Sequence, residues 1–216
     1  LRSKNEIDTE VIQVGLVHLY NIYDRYDLKH VFWVYWTAVC TPIYSSAVHF
    51  GATIESLQRS YLKEHQDSFK KALLQKNDFQ FIYDRFITTL EVVAIEDAEK
   101  KILKNKLANL NQTPQSQLSQ RFFECLGIEL NSDEKSAWKQ RHNVAHGEPV
   151  ESDAAFRLAM RNTKILMVLL HRIIMKIANV NSYLYYDYAS LNFPLKSLST
   201  GVGSYSSTDS VVKLQK

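Results

Sequence analysis

The chain has 216 residues, 45% apolar and 12% aromatic, with a formal charge of +3 and only six Gly and four Pro. Such an apolar content excludes global disorder, and so few Gly and Pro argue against an all-β chain with its many turns. The small net charge neither demands nor forbids a polyanionic partner, since surface patches decide that and totals do not.

No run of about 18 apolar residues is present to cross a bilayer; the longest, Val31 to Trp36, is too short. Arg2, Lys4, Glu6 and Asp8 break any apolar leader at the start. The opening at Leu1, without methionine, leaves two readings: a trimmed start or the C-terminal piece of a longer protein. Cys40 and Cys125 lie far apart in apolar settings without metal-ligand spacing, so two buried thiols in a reducing cytosol are expected.

Helical periodicity begins with Glu6 to Asp24, where Ile7, Val11, Val14 and Ile22 recur near 3.6-residue spacing. Gly15 inside it costs about 1 kcal/mol of helix propensity and marks a close helix contact. Leu28 to Val39 is rich in aromatic and β-branched residues, which propensity alone would allow as strand. A buried helix is preferred because the segment runs into Thr41-Pro42 with helices around it.

Ser45 to Lys63 is the next helix, capped by Ser45 or Ser46. Glu55 sits there on an otherwise apolar face. The plain reading pairs it with Arg59 at i,i+4; the sharper one is a carboxylate aimed into a site. After a polar connector, Glu64 to Asp67, a long helix is predicted from Phe79 to Leu110. Its second half carries Glu96-Lys100 and Asp97-Lys101 pairs on a solvated face.

A loop around Pro114 leads to a short helix, Leu118 to Leu126, stopped by Gly127. Asn131 to Glu134 supplies a cap and first-turn acid for a helix through Trp138 and Arg141, ended by Gly147 and Pro149. Ser152 or Asp153 starts the last long helix, to about Ala178. Its stripe of Phe156, Met160, Ile165, Leu166, Leu169 and Ile173 reads as core or subunit interface. Asn181 to Pro194 is Tyr-rich and reads as an extended segment covering an apolar groove. Ser197 to Lys216 is Ser/Gly-rich and reads as poorly ordered. The organisation is thus one helical domain over 1–193 and a flexible tail over 194–216, with no internal repeat.

The chemistry-bearing stretch is Arg141 to Gly147, RHNVAHG. Arginine offers a rigid fork of donors that matches phosphate oxygens. Histidine gives or takes a proton near neutral pH. On an unbroken helix Arg141 and His146 diverge by about 140°. A helix ending near Ala145 frees His146 to swing back, and the helix C-terminus favours its protonated form. RNA brings its own 2′-hydroxyl nucleophile, so this pair needs no metal, and no Asp or Glu lies between Arg141 and Gly147 to hold one. Arg-x4-His spacing alone is weak, and a helix-end histidine is often only a C-terminal cap.

Arg141-His142-x-x-x-His146, set between two amphipathic helices and ending in AHG, resembles the motif of the HEPN superfamily. The helix Val48 to Leu62 with Glu55, and the passage FFECLGIELNSDEKSAWKQRHNVAHG, are similar to its Apea-like branch, found in phage-defence proteins. The resemblance covers roughly Leu28 to Asp187. It departs from the commonest pattern in placing His142 in the polar slot, with Asn143 after it.

That resemblance implies an all-α, antiparallel helical bundle that dimerises with two motifs in one cleft. It implies metal-independent RNA cleavage leaving a cyclic phosphate, without a cofactor. Arg141 would bind and polarise the phosphate, His146 would transfer the proton, and His142 or Asn143 would orient the scissile group. Glu55 is a weaker candidate for substrate contact. The implied setting is cytoplasmic: antiviral defence or a toxin-like system, held in check by a regulatory domain or inhibitor. The alternative is a non-catalytic RNA-binding or dimerisation module of a larger defence protein.

Overall fold

Helices dominate the computed structural model, which describes residues 9–66, 72–145, 152–180, 184–187 and 195–202. At 43, 44, 142–145, 184, 186 and 195 only the backbone is described. Among the described residues there are eight helices: α1 (Thr9–Asn21), α2 (Leu28–Cys40), α3 (Ile43–Glu64), α4 (Lys76–Val92), α5 (Asp97–Ala108), α6 (Gln115–Cys125), α7 (Ser132–Ala145) and α8 (Asp153–Ile177). Two short strands, β1 (Leu184–Tyr186) and β2 (Leu195–Ser197), complete the described elements. The chain is all-α in class, as its periodicity predicts.

Contacts divide the chain into two compact units, residues 1–64 with 122–216, and residues 65–121. The span read as one domain, 1–193, therefore carries the second unit as an insertion. In the larger unit α3 is the hub, packing against α2, α7 and α8, while α7 also packs on α8. Its apolar residues explain why: Ile54 and Leu57 of α3 meet Ile165, Leu166, Leu169 and Ile173 of α8 in one fully buried cluster. Residues 165, 166, 169 and 173 fall on one helical stripe, and Val168, Leu170 and Arg172 are buried beside it, so more than one stripe of α8 is covered. Phe156, on the same predicted stripe, is 40% exposed.

Local signals place the helix ends. Gly127 adopts φ 62, and the N–H of Ile128 reaches back to the Phe123 carbonyl at 2.9 Å while that of Gly127 reaches Glu124 at 2.9 Å. This double bond pattern closes a helix with a left-handed glycine, here α6. At the start of α7, Asn131 Oδ1 accepts from the Glu134 N–H at 2.9 Å, and Glu134 Oε2 accepts from the Asn131 N–H at 3.1 Å. Two orphan donors are thereby satisfied reciprocally. Gly15 is a point of close approach, since a Cβ there would collide with Val180 Cγ2.

Four sequence expectations change. The helix drawn from Phe79 to Leu110 is two helices, α4 and α5, broken between Val92 and Asp97. Val93 is extended there, and α5 then folds back so that Lys104 meets Glu91 at 2.5 Å. A β-branched Val92-Val93 pair weakens the helix where an Asp97 first turn can begin another.

The thiols of Cys40 and Cys125 are exposed, not buried, because both stand at the last residue of their helices. Helix α2 is half-buried: Leu28, Val31 and Ala38 face inward, while Trp33 and Trp36, rotated to the outer face, are 72% and 62% exposed. One helix presents only one stripe to a core.

The tail read as flexible from 194 in fact contributes residues 195–202 to the fold. β2 pairs antiparallel with β1, Tyr185 opposite Lys196, and Leu198 and Val202 are buried in the core cluster. A buried ion pair fixes this segment. Arg172 Nη1 bonds Glu134 Oε1 with both side chains fully buried. Arg172 Nε donates to the Leu198 carbonyl at 2.7 Å and Nη2 to that of Ser199 at 3.3 Å. The Val202 N–H donates to Glu134 Oε1 at 3.3 Å. Asp187 closes the hairpin onto Lys196 at 2.9 Å.

Candidate functional site

Arg141 lies just before the last turn of α7, and α7 packs on α3. Its side chain crosses to α3 at Gly51, where a Cβ would come within 2.8 Å of Arg141 Cδ. One turn further along α3 is Glu55, and Arg141 Nε and Nη2 donate to Glu55 Oε1 at 3.1 and 2.6 Å. The third nitrogen, Nη1, donates to the backbone carbonyl of Trp138. The face of the guanidinium lies 3.5 Å from the Trp138 ring centre, a cation–π stack. Phe123 in turn meets Trp138 edge-on at 5.9 Å. Every part of the cation is therefore specified: one face by an aromatic ring, one edge by a carboxylate, one corner by a helix carbonyl.

Arg141 is 8% exposed and Glu55 33% exposed. The carboxylate is thus the more solvent-facing partner. A buried guanidinium without a counter-ion would be costly, and Glu55 supplies that ion across 86 residues of sequence. The i,i+4 partner expected for Glu55, Arg59, is replaced by Arg141. Along α3 the neighbours of Glu55 differ: Gly51 is buried against Arg141, whereas Ala52 and Arg59 are exposed.

The candidate residues do not all have a described position. Arg141 and Glu55 are brought together as above. The backbone of His142 and Asn143 belongs to α7, while their side chains lie outside the described residues, as does His146 entirely. The aromatics Tyr183, Tyr188 and Phe193 lie outside them too. Among the described residues no group of three or more His, Cys, Asp or Glu stands together as a metal would need, and no helix is long and apolar enough to cross a membrane.

Two residues of the site escaped the sequence reading. Trp138 stands three positions before Arg141, which on a helix puts the ring beside the guanidinium. Gly51 stands four before Glu55, so the two share a face of α3 and mark where another element passes closely. Both signals are visible in the spacing once Arg141 and Glu55 are paired.

A second histidine cluster lies elsewhere in the larger unit. Tyr35 OH and His171 Nε2 are 3.0 Å apart, joining α2 to α8. Burial lowers the His171 pKa and raises that of Tyr35, so both groups favour their neutral forms there.

No family model matches this chain, and no curated protein or solved structure matches it either.

Proposed function

We propose that the chain is a metal-independent endoribonuclease of HEPN type, centred on Arg141 and His146, active as a homodimer with two motifs facing one cleft. The observation that supports this most is the pairing of Arg141 with Glu55 at the end of α7. A cation is held there in a fixed orientation where the motif begins, by a partner from the one other helix the sequence resemblance singled out.

The chemistry then divides among few groups. The RNA 2′-hydroxyl loses its proton to solvent water as its oxygen attacks the adjacent phosphorus, the bond to the 5′ oxygen breaks, and a 2′,3′-cyclic phosphate remains. The negative charge that builds on the non-bridging oxygens is met by the guanidinium, whose planar donors suit them. His146 gives a proton to the departing 5′ oxygen, and His142 or Asn143 orients the linkage. Trp138 and Gly51 set the plane in which the guanidinium is presented. The protein partner of such a site would be a regulatory domain or inhibitor, and the setting cytoplasmic antiviral defence or a toxin-like system.

One observation favours a second reading, a non-catalytic module that binds RNA or dimerises. All three guanidinium nitrogens of Arg141 already have protein acceptors, as in an interhelical tie with no substrate role.

Cleavage of labelled RNA in EDTA separates the two. His146→Ala and Arg141→Lys are expected to abolish cyclic-phosphate products with the circular dichroism unchanged. Parent-level cleavage by both variants would overturn the catalytic reading. RNA retention in a gel shift, with no cleavage by the parent, would establish the second.

A further inference from the structure

We infer that Glu55 occupies the oxyanion position of the Arg141 site, and that a phosphate group binds Arg141 by taking that position from it. The inference deepens the proposed ribonuclease reading and rests on it for the identity of the anion.

The geometry points to exchange and not to a permanent tie. A guanidinium presents parallel donor pairs on two edges, Nε with Nη2 and Nη1 with Nη2, and in Arg141 Nη1 is turned to the Trp138 carbonyl, which leaves the Nε/Nη2 edge for an oxyanion. In Arg141 that edge is taken by a single oxygen, Glu55 Oε1, at 3.1 and 2.6 Å. Other sides of the group are occupied as well: the Trp138 ring lies on one face, the Trp138 carbonyl at Nη1, and Gly51 against the aliphatic stem. Of the groups that accept a hydrogen bond from the guanidinium, Glu55 is the side chain, and the Trp138 carbonyl belongs to the backbone.

It is also the more exposed partner, 33% against 8%, so it stands between the cation and water. An incoming anion meets the carboxylate first, and the edge it needs is the one the carboxylate vacates. With Glu55 in place the cation is neutralised and its two best donors are occupied. Phosphate affinity is thereby set low until a substrate with other contacts displaces the carboxylate.

Inorganic phosphate is the probe, titrated into the full chain by calorimetry with chloride at constant ionic strength. Glu55→Gln keeps the side-chain shape and removes the charge, and is expected to bind phosphate roughly tenfold tighter than the parent, the scale of one charge-assisted contact. Glu55→Asp keeps the charge but draws the oxygen back by a methylene, and should fall between the two. The gain should vanish in Glu55→Gln with Arg141→Gln.

A folded Glu55→Gln with parental affinity overturns the exchange, as does a gain that survives loss of Arg141. Should Glu55→Gln fail to fold, the Arg141 Nε–H resonance of the parent decides. It shifts on adding phosphate if the edge is exchanged and stays fixed if it is not. RNA cleavage run in parallel keeps the two claims apart. A parent that never cuts RNA but shows the phosphate gain loses the ribonuclease reading alone. A parent that cuts through His146 but shows no gain loses the exchange alone.

Discussion

Arg172–Glu134 in the larger unit and Lys104–Glu91 in the unit of residues 65–121 are both cation–carboxylate pairs, yet they stand in opposite surroundings. The first is fully buried on both sides and is shared with the carbonyls of Leu198 and Ser199 and the N–H of Val202. The second has side chains 37% and 52% exposed.

The same contrast runs through the two units. Helix α8 buries Ile165, Leu166, Leu169 and Ile173, whereas α4 and α5 have no buried residue between them. The ends of the smaller unit are tied by polar contacts instead. The Leu74 N–H donates to Asn111 Oδ1 at 2.7 Å and Asn111 Nδ2 returns to the Leu74 carbonyl at 3.1 Å. Charge in the larger unit is therefore built into the core and specifies it, while charge in the smaller one decorates helices. Isolated helices of this length are marginal in water, so the two units should differ in how they answer the same kind of substitution.

The largest expected effect falls on the buried pair. Arg172→Met leaves the Glu134 carboxylate buried without its cation, and the penalty for a broken buried pair is about 3–5 kcal/mol. It also removes the donors that hold Leu198 and Ser199, so the 195–202 segment should lose amide protection together with the core. Urea denaturation reads the loss, and pairing Arg172→Met with Glu134→Gln should recover part of it. A single variant that costs less than about 1 kcal/mol would show that residues 195–202 are not integral to the larger unit.

Next comes a matched pair of aromatic truncations. Phe122 is fully buried, and its replacement by Ala should cost about 3–5 kcal/mol through lost transfer energy and the cavity left behind. Phe86 on α4 is 50% exposed, and the same change there should stay within about 0.5 kcal/mol. If Phe86→Ala proves as damaging as Phe122→Ala, the outer face of α4 is covered in solution and the contrast between the units fails.

How much of this was legible in the sequence follows the same line. Stripes of apolar residues located α8 and its core face, and Asn131-x-x-Glu134 announced the cap of α7, because these signals are local and repeat with the helix. Gly127 likewise named its own stop. The break between α4 and α5 was missed because the Glu96 and Asp97 pairs to Lys100 and Lys101 suit a continuous helix as well as a new one.

Glu55 stands out in the sequence as a carboxylate among apolar neighbours, but its partner is not readable there. Arg59 lies one turn away on the same helix, whereas Arg141 is 86 residues distant and is chosen by the packing of α3 on α7. Arg172 has no sequence signal of its own, since a lone arginine in an apolar stripe carries no sign of the Glu134 that neutralises it. Arg141 was found through its motif, while Trp138 and Gly51, which fix its plane, emerge only from the pairing.

A smaller effect belongs to His171, where burial lowers the imidazole pKa below its ordinary value of 6.5. Between the two values the unfolded chain binds more protons than the folded one, so acid favours unfolding. Stability should be whole above pH 6.5 and should decline as the pH falls below it. His171→Gln, which keeps a partner for Tyr35 OH, should flatten that slope in thermal melts from pH 7.5 to 5. An unchanged slope would assign it to other groups, such as carboxylates.

The smallest effect is expected at Glu91. Its pKa is lowered, first by the hydrogen bond from Lys104 and then by that cation's charge, so any stability it lends is present above the ordinary carboxylate value and lost as the pH falls through the lowered one. Both side chains are wet, and the attraction is weakened by water and salt and opposed by the entropy of holding two long chains in one geometry. Glu91→Gln should therefore leave the melting temperature unchanged within error at 0.15 M salt, and should be felt, if at all, only at low ionic strength. This is the sharpest test of the comparison, because the bond is short, 2.5 Å, and length alone would rank it with the buried pair. If Glu91→Gln destabilises as Arg172→Met does, then burial is not what separates the two ion pairs, and the polar ties of the smaller unit hold it together as firmly as the core holds the larger.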